Sequence, residues 1–138
     1  MSATVVAFAP RPGRPWFGGV HAARVGDYHL IAGPMREEPT DWATAALWAA
    51  ELHAFGYADF HLPRLAELVA LEAAFPKALL GDIWWSSEVP PASPTDAFAL
   101  VLGNAISAAK RQPFNVIAVR RVQVTEPLAL NTSRRLSA

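Results

Sequence analysis

The sequence contains no cysteine among its 138 residues. Without cysteine the chain can form no disulfide, no thiol nucleophile and no Cys-ligated metal site, so packing alone must hold the fold. Lysine and arginine together number 12, as do aspartate and glutamate, so the formal charge is zero. A neutral chain has no overall field to attract nucleic acid or an anionic membrane, and we expect neither as a partner.

The sequence also lacks the apolar run of roughly 18 to 20 residues that a membrane-spanning helix needs, because Pro, Gly, Asp or Glu interrupts every candidate. Residues 1–10 have no basic region ahead of an apolar stretch. We therefore expect a protein that is made in the cytoplasm and is not secreted by a signal peptide. A chain of this length fits one domain that can bury a core.

Common catalytic and ligand motifs are missing as well. The sequence has no His-Glu-x-x-His, no phosphate-binding glycine loop and no Gly-x-Ser-x-Gly element. No pair of its four histidines has the i, i+4 spacing of one helical face. We predict no catalytic residue, no metal and no cofactor. A hydrolase in which histidines and carboxylates converge from distant positions stays open as an alternative.

Residues 1–15 are dense in proline and arginine. The residues concerned are Pro10, Arg11, Pro12, Arg14 and Pro15. Because proline fixes φ and lacks a backbone N–H, we predict an extended arm that stays out of sheet interiors and becomes ordered against a neighbour. Residues 126–138, with Arg134 and Arg135, predict a second terminal arm. A single domain over residues 16–125 lies between the arms.

A two-residue turn signal, Gly26-Asp27, separates two apolar stretches and predicts a β-hairpin over residues 16–33. In a regular hairpin, pairing across this turn places His21 and His29 on opposite faces. That register argues against a two-histidine metal site.

Two helices follow the hairpin. Thr40 is a plausible N-cap, and the apolar spacing from Trp42 to His53 predicts a core helix that Gly56 ends. A second helix follows Pro63. Its predicted buried stripe consists of Leu65, Leu68, Val69 and Glu72, and Pro76 is its predicted stop signal. Glu67 lies in the first turn of that helix, where its charge suits the helix dipole, and we expect a structural role for it.

Three strands are predicted in the second half, over residues 83–87, 97–102 and 115–124. Period-two alternation in the last strand places Arg120 on an apolar face with valine and alanine. A half-buried arginine needs a carboxylate or carbonyl partner. The candidate carboxylates are Asp59, Glu67 and Glu88. Replacement of Arg120 by leucine should therefore destabilise the fold.

Trp84 and Trp85 are adjacent in a predicted strand, so their rings point to opposite faces. In one interpretation, one ring is exposed and stacks on a sugar or a partner protein. Asn104, Lys110 and Arg111 would then add polar contacts beside it. In the other interpretation, both rings are packed in the core.

A spaced series of landmarks runs through the chain. It comprises Asp41-Trp42, the stretch 56–63, Glu67-Leu68, Trp84-Trp85-Ser86-Ser87 and Val119-Arg120. Over residues 41–120 this series resembles the collagen-like-protein C-terminal (Lcl C-terminal) domain family, whose fold is akin to C-type lectins. The resemblance implies an α+β fold in which two helices pack on an antiparallel sheet. Where relatives usually have Trp-Arg-Leu-Pro-Thr, this chain has Phe60-His61-Leu62-Pro63-Arg64.

The resemblance also suggests functions. Members of the family occur on bacterial surface adhesins, where the domain can trimerise and bind glycans, and in bacteriophage proteins. Because the sequence shows no signal peptide and has proline-rich arms, the bacteriophage members are the better match. We therefore expect a non-enzymatic virion component, in capsid decoration or in a tail or fibre that contacts the host. It would contact other virion proteins and form a homo-oligomer such as a trimer. The alternative is a glycan-binding adhesin module.

Overall fold

The structure, a computed structural model, describes residues 19–124. The predicted arms, 1–15 and 126–138, lie outside the described residues. The elements in chain order are β1 (Val20–Val25), β2 (Tyr28–Met35), α1 (Trp42–Glu51), α2 (Leu65–Ala74), α3 (Pro76–Leu79), β3 (Ile83–Trp85), β4 (Asp96–Val101), β5 (Asn104–Ala109) and β6 (Ile117–Gln123). No helix in this part of the chain is both long enough and apolar enough to cross a membrane.

The strands form two antiparallel sheets, in the orders β1-β2-β6 and β3-β4-β5. The fold is therefore α+β, with two small sheets where one was predicted. Asn115, just ahead of β6, connects them. Its backbone N–H donates to Ile83 at 2.9 Å, and its carbonyl accepts from Trp85 at 3.0 Å.

The core consists of two apolar clusters, one on each side of β3. Trp84 packs with Leu30, Leu68 and other residues of β2, α2 and β6. Trp85 packs in the other cluster, with Ala45 of α1 among its members. Neighbouring side chains of a strand point to opposite faces, so β3 contributes one ring to each cluster.

The ends of α1 differ from the prediction. Asp41, and not Thr40, is the N-cap, because its carboxylate accepts from the backbone N–H of Thr44 at 3.1 Å. The helix ends at Glu51, well before Gly56. The chain turns away at Leu52, which has extended backbone angles, and Gly56 belongs to a separate tight turn.

The buried face of α2 contains Leu68 and Glu72 of the predicted stripe, but Val69 is 46% exposed, and Glu67 and Leu71 are fully buried. Glu67 is drawn inward because the neighbouring sheet offers it hydrogen-bond donors. α2 ends at Ala74 with Phe75 as its C-cap, so Pro76 follows its end as predicted. Pro76 then occupies the first turn of α3, where its missing N–H costs no hydrogen bond.

The β4–β5 hairpin contains a strand that was not predicted. β5 has the sequence Asn-Ala-Ile-Ser-Ala-Ala, which is poor in strand-forming residues. Leu102 and Gly103 connect it to β4 with φ values of 49° and 78°, the positive angles that suit a two-residue hairpin turn.

The β1–β2 hairpin turns at Gly26-Asp27 as predicted, but it is not regular. A bulge between His21 and Ala23 shifts the register, so that His21 pairs with Ile31. Because one extra residue reverses the alternation, His21 and His29 lie on the same face. The prediction that they face opposite sides is wrong.

Candidate functional site

A groove of about 930 Å³ is present among the described residues. It lies between the end of β2 and the C-terminal half of α1 with the loop that follows. One wall comes from residues 34–38. The other wall comes from Trp48 and from residues 52–58. Both apolar and charged side chains therefore face the same cleft, which we call the groove.

Three aromatic side chains, Trp48, Phe55 and Tyr57, line the helix side of the groove. Trp48 and Phe55 are partly exposed, and Tyr57 is 45% exposed. Flat rings with one face open to solvent offer large contact area and lose little conformational freedom when they are covered.

A tight turn presents two of these rings. Ala54 and Tyr57 exchange backbone hydrogen bonds of 3.0 and 2.9 Å around Phe55 and Gly56. Phe55 has a φ of 56°, which is uncommon for a bulky residue. Such strained positions persist only where surrounding structure holds them, and they concentrate at binding sites.

Arg120 fixes the ring of Tyr57. Its guanidinium lies 3.5 Å from the ring centroid. Its Nε donates to Oδ1 of Asp59 at 2.6 Å, and this hydrogen bond holds the pKa of Asp59 below its ordinary value. Of the three carboxylates considered for Arg120, Asp59 is the one it contacts. The Asp59 side chain is 59% exposed and that of Arg120 is 14% exposed, so the carboxylate lies at the surface and the arginine is largely covered.

The opposite wall of the groove carries charge. Glu37 and Glu38 are exposed beside each other, after the end of β2. Arg36 donates from Nη1 to the backbone carbonyl of Glu38 at 2.7 Å, which fixes the loop that presents these carboxylates. The wall therefore favours a ligand with positive charge on that side.

Glu67 is not near this groove and has a different partner from the one proposed. It is fully buried, and it accepts from Arg121, from the hydroxyl of Tyr28 and from the backbone N–H of Arg64. Adjacent residues of β6 point to opposite faces, so Arg120 and Arg121 lie on different faces of the strand. The proposed pairing of Glu67 with Arg120 is therefore wrong.

Burial alone would raise the pKa of Glu67. The hydrogen bonds from Arg121 and Tyr28 outweigh it and lower that pKa below its ordinary value. Glu88, the third carboxylate considered for Arg120, accepts from the backbone N–H of Leu65 at 2.7 Å. Glu67 and Glu88 thus satisfy free N–H groups at the start of α2.

Trp84 and Trp85 form no exposed platform. Both rings are fully buried. Their indole N–H groups donate to the backbone carbonyls of Leu79 and Thr40, each at 2.8 Å. The interpretation that one of them contacts a ligand is wrong, because helices and loops cover both faces of β3.

The polar residues expected beside that platform lie elsewhere. Asn104 and Arg111 are exposed, and Asn104 donates to the carbonyl of Leu102 at 3.2 Å. Lys110 lies 4.7 Å from the ring centroid of Trp42 and donates to the carbonyl of Pro94 at 2.7 Å. These contacts hold the β4–β5 hairpin against α1, and none of the three residues borders the groove.

The histidines are distributed over three places. The ring nitrogens of His21 and His29 lie 3.0 Å apart as a result of the β1 bulge. His53 lines the groove. His61 lines a smaller cleft of about 410 Å³ together with Arg64 and Arg121. No group of three or more His, Cys, Asp or Glu suited to a metal occurs in residues 19–124.

His61 is the most perturbed of these histidines. Its Nε2 is buried and has no hydrogen-bond partner within residues 19–124. Burial, and then the charge of Arg121, lower the pKa of His61 below its ordinary value. The neutral imidazole is therefore favoured in the folded protein.

Comparison of the sequence with protein-family models and with curated protein sequences gives no match. The groove was not among the predicted sites. Its best signal in the sequence was Gly56, because glycine indicates a tight turn.

Proposed function

We propose that this protein is a non-enzymatic binding and assembly protein, and that its groove recognises an extended, proline-containing segment that carries basic residues. The observation that carries the proposal is the pairing of an aromatic wall with an acidic wall in one open groove. Aromatic-lined grooves bind proline-rich segments because such segments are already extended and lose little entropy on binding.

The charges give the groove a preference among such segments. Glu37 and Glu38 attract arginine or lysine, and the preference weakens as salt screens them. Tyr57 and Phe55 supply flat surfaces against which proline rings pack. Both features select short basic proline-rich segments over acidic ones.

The binding proposal is tested with a panel of labelled peptides that differ in proline and arginine content, measured by fluorescence anisotropy. The Trp48→Ala variant should bind the proline-arginine peptides about tenfold more weakly, the loss of roughly one anchoring aromatic side chain. Leu47→Ala is the matched control, because Leu47 is adjacent on α1 and 57% exposed but outside the groove. Equal binding by wild type and Trp48→Ala would contradict the groove as the binding site.

We further propose that the protein acts in a bacteriophage virion, in capsid decoration or in a tail or fibre. Its support is the resemblance to the Lcl C-terminal domain family over residues 41–120, together with the terminal arms predicted from the sequence. The proposal includes contacts with other virion proteins and a homo-oligomer such as a trimer. Mass spectrometry of purified particles from cells that encode the protein should find it in the particle fraction. Its restriction to the soluble lysate would contradict the virion proposal.

Glycan binding is a second candidate function. The observation in its favour is Tyr57, whose partly exposed ring is held flat by Arg120 and is open to a sugar face. A glycan array probed with the folded protein distinguishes the two. Array signals that disappear in the Tyr57→Ala variant would support glycan binding at this ring. A blank array would exclude glycan binding as the function.

A further inference from the structure

The chain itself contains a segment with the chemistry that the groove would select. Residues 10–15 read Pro-Arg-Pro-Gly-Arg-Pro. Proline fixes φ near the value of an extended polyproline helix, and both arginines keep their charge at all relevant pH values. The segment therefore combines preformed extension with positive charge.

The described chain begins beside the groove. A Cβ placed on Gly19 would lie 3.8 Å from Cδ2 of Phe55, so Gly19 lies close to the side chain of a groove residue. The backbone N–H of Gly19 donates to Ala32 at 3.0 Å, which fixes this end of the chain on β2. The chain that precedes Gly19 thus starts at one edge of the groove.

The distances allow the segment to reach the groove of its own chain. The steps from Gly19 back to Pro15 span at most about 14 Å when fully extended. A six-residue polyproline helix is about 19 Å long. No long linker has to be closed, so the entropic cost of binding within one chain is small.

We propose that residues 10–15 bind in the groove of their own chain, with the prolines against the aromatic wall and the arginines towards Glu37 and Glu38. This inference rests on the proposed peptide recognition by the groove and names its first ligand. The arm is then a built-in competitor that a partner segment has to displace.

The effect of the tethered segment on the affinity for an external ligand can be calculated. A short tether gives a segment an effective concentration of about 1 mM at its site. If the free segment has a Kd of about 0.1 mM, the tethered segment occupies the groove about nine-tenths of the time. An external ligand then binds about tenfold more weakly than it would to an open groove.

The test uses the full chain and a fluorescent peptide of residues 8–17. In a variant with Pro10, Pro12 and Pro15 each changed to serine, the peptide should bind about tenfold more tightly than to wild type. Pro127→Ser, in the other terminal segment, is the control and should match wild type. Adding Glu37→Lys and Glu38→Lys, two exposed positions whose change spares the core, to the arm variant should reverse the gain.

The outcomes separate the two proposals. Equal and measurable binding by wild type and the arm variant would overturn occupation by the arm and leave groove recognition intact. No binding to either would overturn both. Light scattering should give a mass for wild type that the arm substitutions leave unchanged. A wild-type oligomer that dissociates in the arm variant would assign the segment to the groove of a second copy and overturn the same-chain assignment.

Discussion

Glu67 and Glu72 are both buried on α2, yet their surroundings shift their acidities in opposite directions. Hydrogen bonds from Arg121 and Tyr28 keep Glu67 ionised. Glu72 has burial as its main influence, which raises its pKa, and its Oε2 has no hydrogen-bond partner in the described part of the chain. Both side chains are removed from water, so the opposite shifts of their pKa values come from their different hydrogen-bond partners.

Glu67→Gln should destabilise the protein by about 3 kcal/mol near neutral pH, because Arg121 loses its buried partner. The pKa of Glu67 is lowered on folding, so its contribution is present above the ordinary carboxyl pKa and is lost as pH falls through the folded-state pKa. Urea unfolding from pH 7 to pH 3 should therefore show a weaker acid dependence in the variant. Glu51→Gln, at an exposed position, is the control. A variant as stable as wild type at pH 7 would contradict the role of this pair.

Glu72→Gln should have the opposite effect and stabilise the protein by about 1 kcal/mol at neutral pH, because an ionised carboxylate no longer has to be buried. The pKa of Glu72 is raised on folding, so the wild type loses stability as pH rises from the ordinary value to the folded-state value. The gain in stability from Glu72→Gln should therefore develop as pH rises between these two pKa values, and it should be absent at lower pH. Unfolding curves at pH 3 and pH 7 measure it, and a loss of stability at pH 7 would show that the hydrogen bond from the Gly103 backbone outweighs the cost of burying the carboxylate.

The ion pair of Arg120 should matter less than that of Arg121, because its carboxylate, Asp59, is 59% exposed and Glu67 is fully buried. Arg120→Leu should cost about 1 kcal/mol, from the contact with the exposed Asp59 and the stacking on Tyr57. Arg121→Leu should cost about 3 kcal/mol, because Glu67 would be left buried and charged. Thermal melting of the two variants compares adjacent positions of one strand, and equal losses would contradict the assignment of partners.

At the scale of single elements, β2 is the most constrained strand because it lies between β1 and β6. Gly33 faces the ring of Phe60. A Cβ at this position would lie 2.6 Å from Cε1 of Phe60 and 2.8 Å from the carbonyl oxygen of Ala118. A backbone oxygen cannot move aside as a flexible side chain can.

Gly33→Ala should therefore destabilise the protein by about 2 kcal/mol through overpacking. Ala105→Val in exposed β5 is a control that adds volume where there is space. Chemical denaturation measures both variants. A Gly33→Ala variant with wild-type stability would mean that Phe60 and β6 are not packed on β2 as described.

The sequence patterns predicted the elements better than their partners. Alternation placed Trp84 and Trp85 on opposite faces, but burial of both depends on layers contributed by distant segments. The hairpin turn at Gly26-Asp27 follows from local backbone preference, whereas the bulge that brings His21 beside His29 has no local signature. β5 was missed because its stability comes from pairing with β4 and not from strand propensity.

The groove illustrates the same limit at the level of the site. Its walls come from the end of β2 and from the region after α1, which are brought together only in the folded chain. Apolar spacing predicted a core helix over this region, and Trp48 of that helix is partly exposed in the groove. No spacing rule connects it with Glu37 and Glu38 across the cleft.

At the scale of the whole molecule, we propose that the groove binds a peptide segment, whereas the buried network around Glu67 stabilises the fold. Residues 10–15 carry the ligand chemistry that we propose for the groove, and three residues separate them in sequence from Gly19. A partner in an assembly would then compete with the protein's own arm, which makes binding depend on the local concentration of that partner.

The most direct test of the central claim is a comparison of amide NMR spectra of the full wild-type chain and the variant with serine at positions 10, 12 and 15. We expect chemical-shift differences not only in the arm but also in the groove. The groove residues concerned are Trp48, Phe55 to Tyr57, Glu37 and Glu38. Addition of the peptide of residues 8–17 to the variant should return these signals towards their wild-type positions. In the contrary result, the chemical shifts differ only in the substituted segment and its sequence neighbours, and the peptide causes no change. That result would contradict binding of residues 10–15 in the groove.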